Sequence, residues 1–274
     1  MPEDKALTSG FVDVPGARLY YEMAGEGDPV LLLHGGLLDR RMWDGQFPVF
    51  AQHYQTIHYD MRCSGESQPL PSAESYVPYQ DAYHLLQALS IKKAALVGLS
   101  GGARFAIDLA IAHPDVVQKL VLVSPGMSGY KFVDAWTGQR AEELKMAVMQ
   151  GDMARAVEVF LVAWTDGPFR SPEQVDYAAR EQIREMAARS MELGAHSLQF
   201  RELEPPASGR LAEIHVPTLI VLGDRDTSDI HAIGKLLHEQ VAGSELVLIQ
   251  GVGHTLVMEK PGEFNVLAAQ FLRK

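Results

Sequence analysis

The chain has 274 residues, 47% of them hydrophobic and 22% charged, proportions that suit a closed core rather than a disordered or repetitive chain. Its net charge of −11 repels phosphate backbones and anionic headgroups, so neither nucleic acid nor a membrane surface is an expected partner. A single cysteine, Cys63, excludes an intramolecular disulfide and a cysteine metal cluster, and is compatible with a reducing cytoplasm.

In chain order, the opening MPEDKALTSG is acidic and has no apolar core, so no secretory signal is expected there. No later apolar run approaches the ~20 residues of a membrane span. FVDVPGARLYYEMAGEGD (11–28) alternates around a Pro-Gly turn and predicts an antiparallel hairpin at a sheet edge. Five continuous apolar runs follow: PVLLLHGG (29–36), KKAALVGLS (92–100), QKLVLVSPG (118–126), VPTLIVLGD (216–224) and SELVLIQGVG (244–253). None alternates, which predicts strands buried on both faces of a parallel sheet. Helical patterns lie between them, such as ARFAIDLAIAHP (103–114), which ends at Pro114. The alternation predicts an α/β doubly wound fold. It breaks over 127–205, a stretch rich in Ala, Glu, Met and Arg that closes on the stiff connector EPPAS (204–208). The expected organisation is a core of residues 1–126 and 206–274, with 127–205 as an all-helical lid over the carboxyl ends of the strands, where open α/β sheets place their ligands.

GLSGG (98–102) fits G-x-S-x-G in the strand-turn-helix context that a nucleophile elbow requires, which makes Ser100 the candidate nucleophile. A serine hydroxyl needs a base. His34 leads a Gly-Gly turn, His58 lies in a strand and His113 ends a helix, while His84, His196, His231 and His238 fall in helical patterns. His254 differs, because it follows the last strand run in the loop GVGHTLVMEKP (251–261). The carboxylate that orients such a base belongs after the preceding strand, in LGDRDTSD, where Asp224, Asp226 and Asp229 compete. Asp226 is the choice, since Asp224 still belongs to the strand end and Asp229 reads as a cap of the next helix. The alternative site after the third run is Ser124-Pro125-Gly126, which has no carboxylate. For the oxyanion, the backbone N–H of Gly101 follows the nucleophile, and Gly36 in the loop after the first parallel strand is the best-placed second donor.

Together, HGGLLDRRMW (34–43), YDMRCSGES (59–67), GLSGG, LGDRD (222–226) and GVGHTLVMEKP resemble the α/β-hydrolase superfamily over most of the chain. The first two motifs look most like its small bacterial esterase, lactonase and cofactor-free perhydrolase branch. Cys63 departs from that pattern, standing where glycine is common in a loop whose Asp60 and Arg62 pin turns. Serine at the nucleophile position argues against the dehalogenase and epoxide-hydrolase branches, which carry aspartate there. The resemblance implies acyl transfer to water with no metal and no cofactor, on a small-molecule ester or lactone. Perhydrolysis, haloperoxidation and C–C bond hydrolysis would use the same residues, and a non-enzymatic ligand receptor on this fold is a further alternative. Trp136, Phe160, Trp164, Phe169 and lid methionines are expected to offer apolar walls, with Leu37 beside the oxyanion donor and Tyr130 or Trp164 able to bond a polar group. FLVAWTDGPF (160–169) resembles a lid segment of lactonase-like hydrolases, which keeps N-acyl homoserine lactones and enol-lactones in view.

Overall fold

A computed structural model describes residues 7–69 and 75–274; the expectation about a secretory signal rests largely on residues 1–6, outside that range. Strands β1 (Thr8–Val14) and β2 (Ala17–Ala24) form the antiparallel edge hairpin. They are followed by β3 (Pro29–Leu33), the short α1 (Phe47–Phe50), β4 (Gln55–Tyr59), the two-residue β5 (Gln68–Pro69) and α2 (Pro78–Ala88). Next come β6 (Ala94–Leu99), α3 (Gly101–Ala112) and β7 (Val117–Val123). Three helices then run without an intervening strand: α4 (Ala135–Met149), α5 (Met153–Leu161) and α6 (Tyr177–Glu192). The chain returns through β8 (Thr218–Gly223), α7 (Ser228–Gln240), β9 (Glu245–Ile249), α8 (Leu256–Glu259) and α9 (Pro261–Arg273).

The strands make one sheet of order β1-β2-β4-β3-β6-β7-β8-β9, with β5 pairing β2 off that path. From β4 to β9 every pairing is parallel. This is the α/β-hydrolase fold. The continuous apolar runs form strands because both faces of each are covered. In β3, Leu31 and Leu33 join a core cluster with Leu85 of α2, Ile107 of α3 and Ile233 of α7. Val30 and Leu32 point the other way, into a cluster with Phe50 of α1 and Phe264 of α9. Two details differ from expectation. SELVLIQGVG forms β9, an edge strand with Leu248 exposed, since nothing lies beyond it in the sheet order. QTIHY, too short and mixed to stand out as an apolar run, is a fully integrated strand between β2 and β3.

Register sets the site. Leu33 pairs with Gly98, Leu99 with Val123, and Gly223 with Ile249, so the carboxyl ends of β3, β6, β7, β8 and β9 fall along one edge. The chain leaves β3 toward β4 on one side and β6 toward β7 on the other. A crevice therefore opens above the adjacent ends of β3 and β6, at the topological switch point. No helix among the described residues is long and apolar enough to cross a membrane.

Candidate active site

Ser100 stands at that crevice, in the turn between β6 and α3. Its backbone is at φ 54° and ψ −112°, a region where a side chain costs on the order of 1–3 kcal/mol. Three hydrogen bonds hold it there. Ser100 N–H donates to Val123 O at 2.9 Å, and Ser100 O accepts from Arg104 N–H and Gly126 N–H, each at 3.0 Å. The flanking glycines have a steric reason. A Cβ on Gly98 would sit 2.6 Å from Ala103 N, and one on Gly102 would sit 2.2 Å from Leu33 O, so helix and strands could not approach this closely with any larger residue.

Across the crevice, the loop after β3 is oriented by His34. Its Nε2 accepts from Met61 N–H at 2.8 Å, which leaves the Nδ1–H to donate to Gly35 O, also at 2.8 Å. Burial pulls the His34 imidazole below its ordinary pKa, so it stays neutral in this tautomer. Gly35 O also accepts from Leu38 N–H at 3.2 Å. A trans peptide points its N–H opposite its carbonyl. Turning Gly35 O toward His34 thus turns the Gly36 N–H away from it, and that N–H has no protein acceptor among the described residues. Gly101, the first residue of α3, likewise has no intrahelical acceptor for its N–H. A Cβ on Gly101 would lie 3.6 Å from Gly36 N, so the two glycines face each other over the gap between β3 and β6.

His254 and Asp226 occupy the loops after β9 and β8. His254 Nδ1 lies 2.9 Å from Asp226 Oδ2, and both side chains are buried. The other Asp226 oxygen accepts from Thr227 N–H at 2.7 Å, which fixes the carboxylate plane. Gly36, Leu37, Ser100, Phe160, Trp164 and His254 all line one cavity of about 260 Å³. The Trp164 ring lies over His254 with centroids 4.7 Å apart. Trp164 belongs to a π-helical turn, Val162–Asp166, whose wide i→i+5 spacing re-aims a side chain where the regular helix α5 ends.

Several residues expected to meet the substrate, Tyr130 as a hydrogen-bonding group and Trp136 and Phe169 as walls, lie elsewhere. Tyr130 donates its hydroxyl to Asp229 at 3.2 Å and lines neither this cavity nor the larger one beside it. Trp136 stacks under the guanidinium of Arg140, its i,i+4 neighbour on α4, and it too lines neither cavity. Phe169 is exposed. Asp229 is not the cap of α7: Thr227 holds that position, and Asp229 accepts from Val133 N–H at 3.0 Å and from Asp134 N–H at 2.8 Å. It ties down the entry to α4. Asp224 lies just past the end of β8 and accepts from Gly251 N–H.

Other contributors carried no motif. Leu144 lines the cavity and could be found only from the apolar face it makes with Ala141 and Val148 on α4. Arg170 donates to Glu259 at 2.6 Å and to Thr165 O at 2.6 Å, joining the π-helical turn to the helix that follows His254. Cys63 has φ 55°, which explains why glycine is common at that position, and burial pushes its thiol pKa up. Asp60 and Arg62 do pin turns: Asp60 accepts from Arg40 and Glu66 N–H, and Arg62 grips Asp81 and the Pro15 carbonyl.

A mostly parallel sheet with these loops gathered at its switch point is a hydrolase architecture. A family model for the alpha/beta hydrolase fold matches residues 28–261, and the chain belongs to that family. It is 28% identical over 292 residues to the 2-hydroxy-6-oxononadienedioate/2-hydroxy-6-oxononatrienedioate hydrolase of Paraburkholderia xenovorans, covering 98% of this chain and 96% of the relative. Among solved structures it is similar to Est816, an N-acyl homoserine lactone degrading enzyme. That match has a TM-score of 0.73 and 25% identity, over 96% of this chain and 100% of the other. A bromoperoxidase from Bacillus anthracis matches with a TM-score of 0.79 and 25% identity, over 98% and 100% of the two chains. These likenesses support a hydrolase acting on a small molecule.

Proposed function

We propose that the protein is a serine hydrolase of carboxylic esters, lactones included, working through an acyl-enzyme on Ser100. One observation carries the reading: a serine on a strained strand-to-helix turn shares a cavity with a histidine that is paired to a buried aspartate. Ser100 Oγ attacks the carbonyl carbon as His254 Nε2 takes its proton. Asp226 holds the imidazole by Nδ1 and stabilises the imidazolium. Gly36 and Gly101 donate their N–H groups to the oxyanion, each worth roughly 3–4 kcal/mol at the transition state. Collapse of the tetrahedral intermediate breaks the acyl–oxygen bond, and His254 returns the proton to the leaving oxygen. Water, deprotonated by the same histidine, then adds to the acyl-enzyme, and the Ser100 Oγ–acyl bond breaks as His254 returns the proton to Oγ, which releases the acid. Residues 127–205 act as a lid over the strand ends, with Leu37, Phe160 and Trp164 as apolar walls.

The walls favour a neutral substrate, since no Lys or Arg lines the 260 Å³ cavity among the described residues. A carboxylate-rich molecule such as the dioate of the Paraburkholderia relative would be desolvated there without a counter-ion. A cytoplasmic setting fits the single, buried cysteine. The test is a panel of p-nitrophenyl esters, γ-lactones and acyl homoserine lactones, with peracid formation from hydrogen peroxide measured alongside. Ester or lactone turnover that vanishes in Ser100→Ala, together with labelling of Ser100 by an organophosphonate, is expected. Equal turnover in Ser100→Ala would sink the mechanism, and labelling without turnover would point to a receptor.

A further inference from the structure

A second, larger cavity adjoins the first. It measures about 480 Å³, and Gly35, Gly36, Leu37 and Leu144 line both. Ser100 and His254 line only the inner one. We propose that the outer cavity is the acyl-chain subsite and that the substrates are esters or lactones with a long, uncharged acyl chain. The proposal rests on the ester-hydrolase reading above and deepens it.

The assignment follows from where the proton must go. In the tetrahedral intermediate the former carbonyl carbon carries four groups: Ser100 Oγ, the oxyanion, the leaving oxygen and the acyl carbon. The leaving oxygen must stay within hydrogen-bond reach of His254 to receive its proton, so the leaving group belongs to the inner cavity. Thr255, beside His254, also lines that cavity, and its hydroxyl is buried without a hydrogen-bond partner, which suits a group that carries oxygen. The acyl carbon has no need of the histidine. Its exit lies past Gly36 and Leu37, into the outer cavity.

The chemistry of the outer walls selects the chain. Ala141, Leu144 and Val148 present one apolar face of α4, with Phe105 and Phe200 also in the lining. The buried cationic and imidazole groups that reach this space are already engaged. His34 is held between Met61 N–H and Gly35 O, and Arg62 makes 2.7 Å bonds from Nε and Nη2 to Asp81. Lys145 and His196, which also line the outer cavity, are exposed, and Lys145 lies 3.6 Å from Glu142. A carboxylate at the end of the acyl chain would find no free buried partner, whereas each neutral methylene gains roughly fourfold in binding.

The experiment compares p-nitrophenyl acetate, butyrate and octanoate, and separately ethyl and octyl acetate, in the parent protein and in Ala141→Trp. The parent is expected to prefer octanoate to acetate in kcat/KM. Ala141→Trp, which fills the outer cavity alone, should lower the octanoate-to-acetate ratio at least about tenfold and leave the octyl-to-ethyl acetate ratio as it was. Val148→Trp, on the same face, is the second variant should the first fail to fold. A parent that turns over acetate as well as octanoate overturns the proposal. So does an unchanged acyl ratio in the folded variants, or a loss confined to the alcohol side. A parent inactive on every ester and on the γ-lactones and acyl homoserine lactones would refute the ester-hydrolase reading instead, so the two failures are distinct.

Discussion

Asp226 and Asp229 lie on one loop and one helix turn, yet their surroundings give them separate work. Asp226 spends one oxygen on His254 and the other on Thr227 N–H, while Asp229 spends both on the segment entering α4. Asp226→Asn is therefore expected to cut kcat by on the order of 10⁴ with little change in melting temperature. Asp229→Asn, which weakens charge-assisted bonds to two backbone N–H groups, should cost roughly 1–3 kcal/mol of stability with a much smaller effect on kcat. Steady-state kinetics and urea unfolding on both variants separate the two, and a larger kcat loss in Asp229→Asn would overturn the acid assignment. Sequence reasoning selected Asp226 but misread Asp229 as a helix cap. Three carboxylates crowd within six residues of LGDRDTSD, and which one a histidine 28 positions away faces depends on the pairing of β8 with β9.

Among elements, strand ends were legible and side-chain directions were not. Apart from β4, whose mixed QTIHY hid a buried strand, each buried strand announced itself because both faces need apolar cover, and Gly98 and Gly102 are dictated by backbone contacts local to the turn. The helices between β7 and β8 offer no such pattern. Whether Trp136 or Leu144 meets the cavity depends on how α4 is rotated against the loop after β3, which its own composition does not specify. The ties between these helices and the core were equally hidden, because Arg170 and Glu259 are 89 residues apart. Their side chains are 5% and 4% exposed, so breaking the pair strands a buried charge. Arg170→Met is expected to cost about 3–5 kcal/mol of stability. The double variant Arg170→Met, Glu259→Met should recover most of that loss. Urea denaturation of the single and double variants makes the comparison, and a double variant no more stable than the single one would contradict it.

For the whole molecule, one buried carboxyl away from the crevice makes stability depend on pH. Asp108, in α3, accepts from Ser128 Oγ at 2.6 Å, and that hydroxyl in turn accepts from Ala207 N–H. One side chain thus meets the chain where it leaves the sheet after β7 and where it returns before β8. Burial pushes the Asp108 pKa from 3.8 up to about 6. The fold therefore holds this proton more tightly than the unfolded chain does. The stabilisation is complete at low pH and is lost as pH rises through about 4 to 6. Asp108→Asn keeps the acceptor oxygen and removes the charge, so it should exceed the parent in stability by up to about 2–3 kcal/mol near neutrality. The advantage should shrink toward zero near pH 4. Urea midpoints at the two ends of that range are the check, and a pH-independent difference would rule out Asp108 as the source.

The two ties between the helical segment and the core have an evolutionary consequence. Asp229 follows Asp226 by one helical turn, and Glu259 follows His254 by little more, so each tie is anchored just downstream of a residue of the hydrogen-bonded pair. A recombination event that exchanged residues 127–205 for those of another family member would keep both anchors but replace the Arg170 side chain that Glu259 holds and re-lay the backbone N–H groups that Asp229 holds. Chimaeras whose new segment brings no arginine to that place should therefore inherit an unpaired Glu259, and Asp229 keeps its bonds only where the new backbone follows the same path. The segment can drift residue by residue, but wholesale exchange needs compensating change in the loops that carry Asp226 and His254.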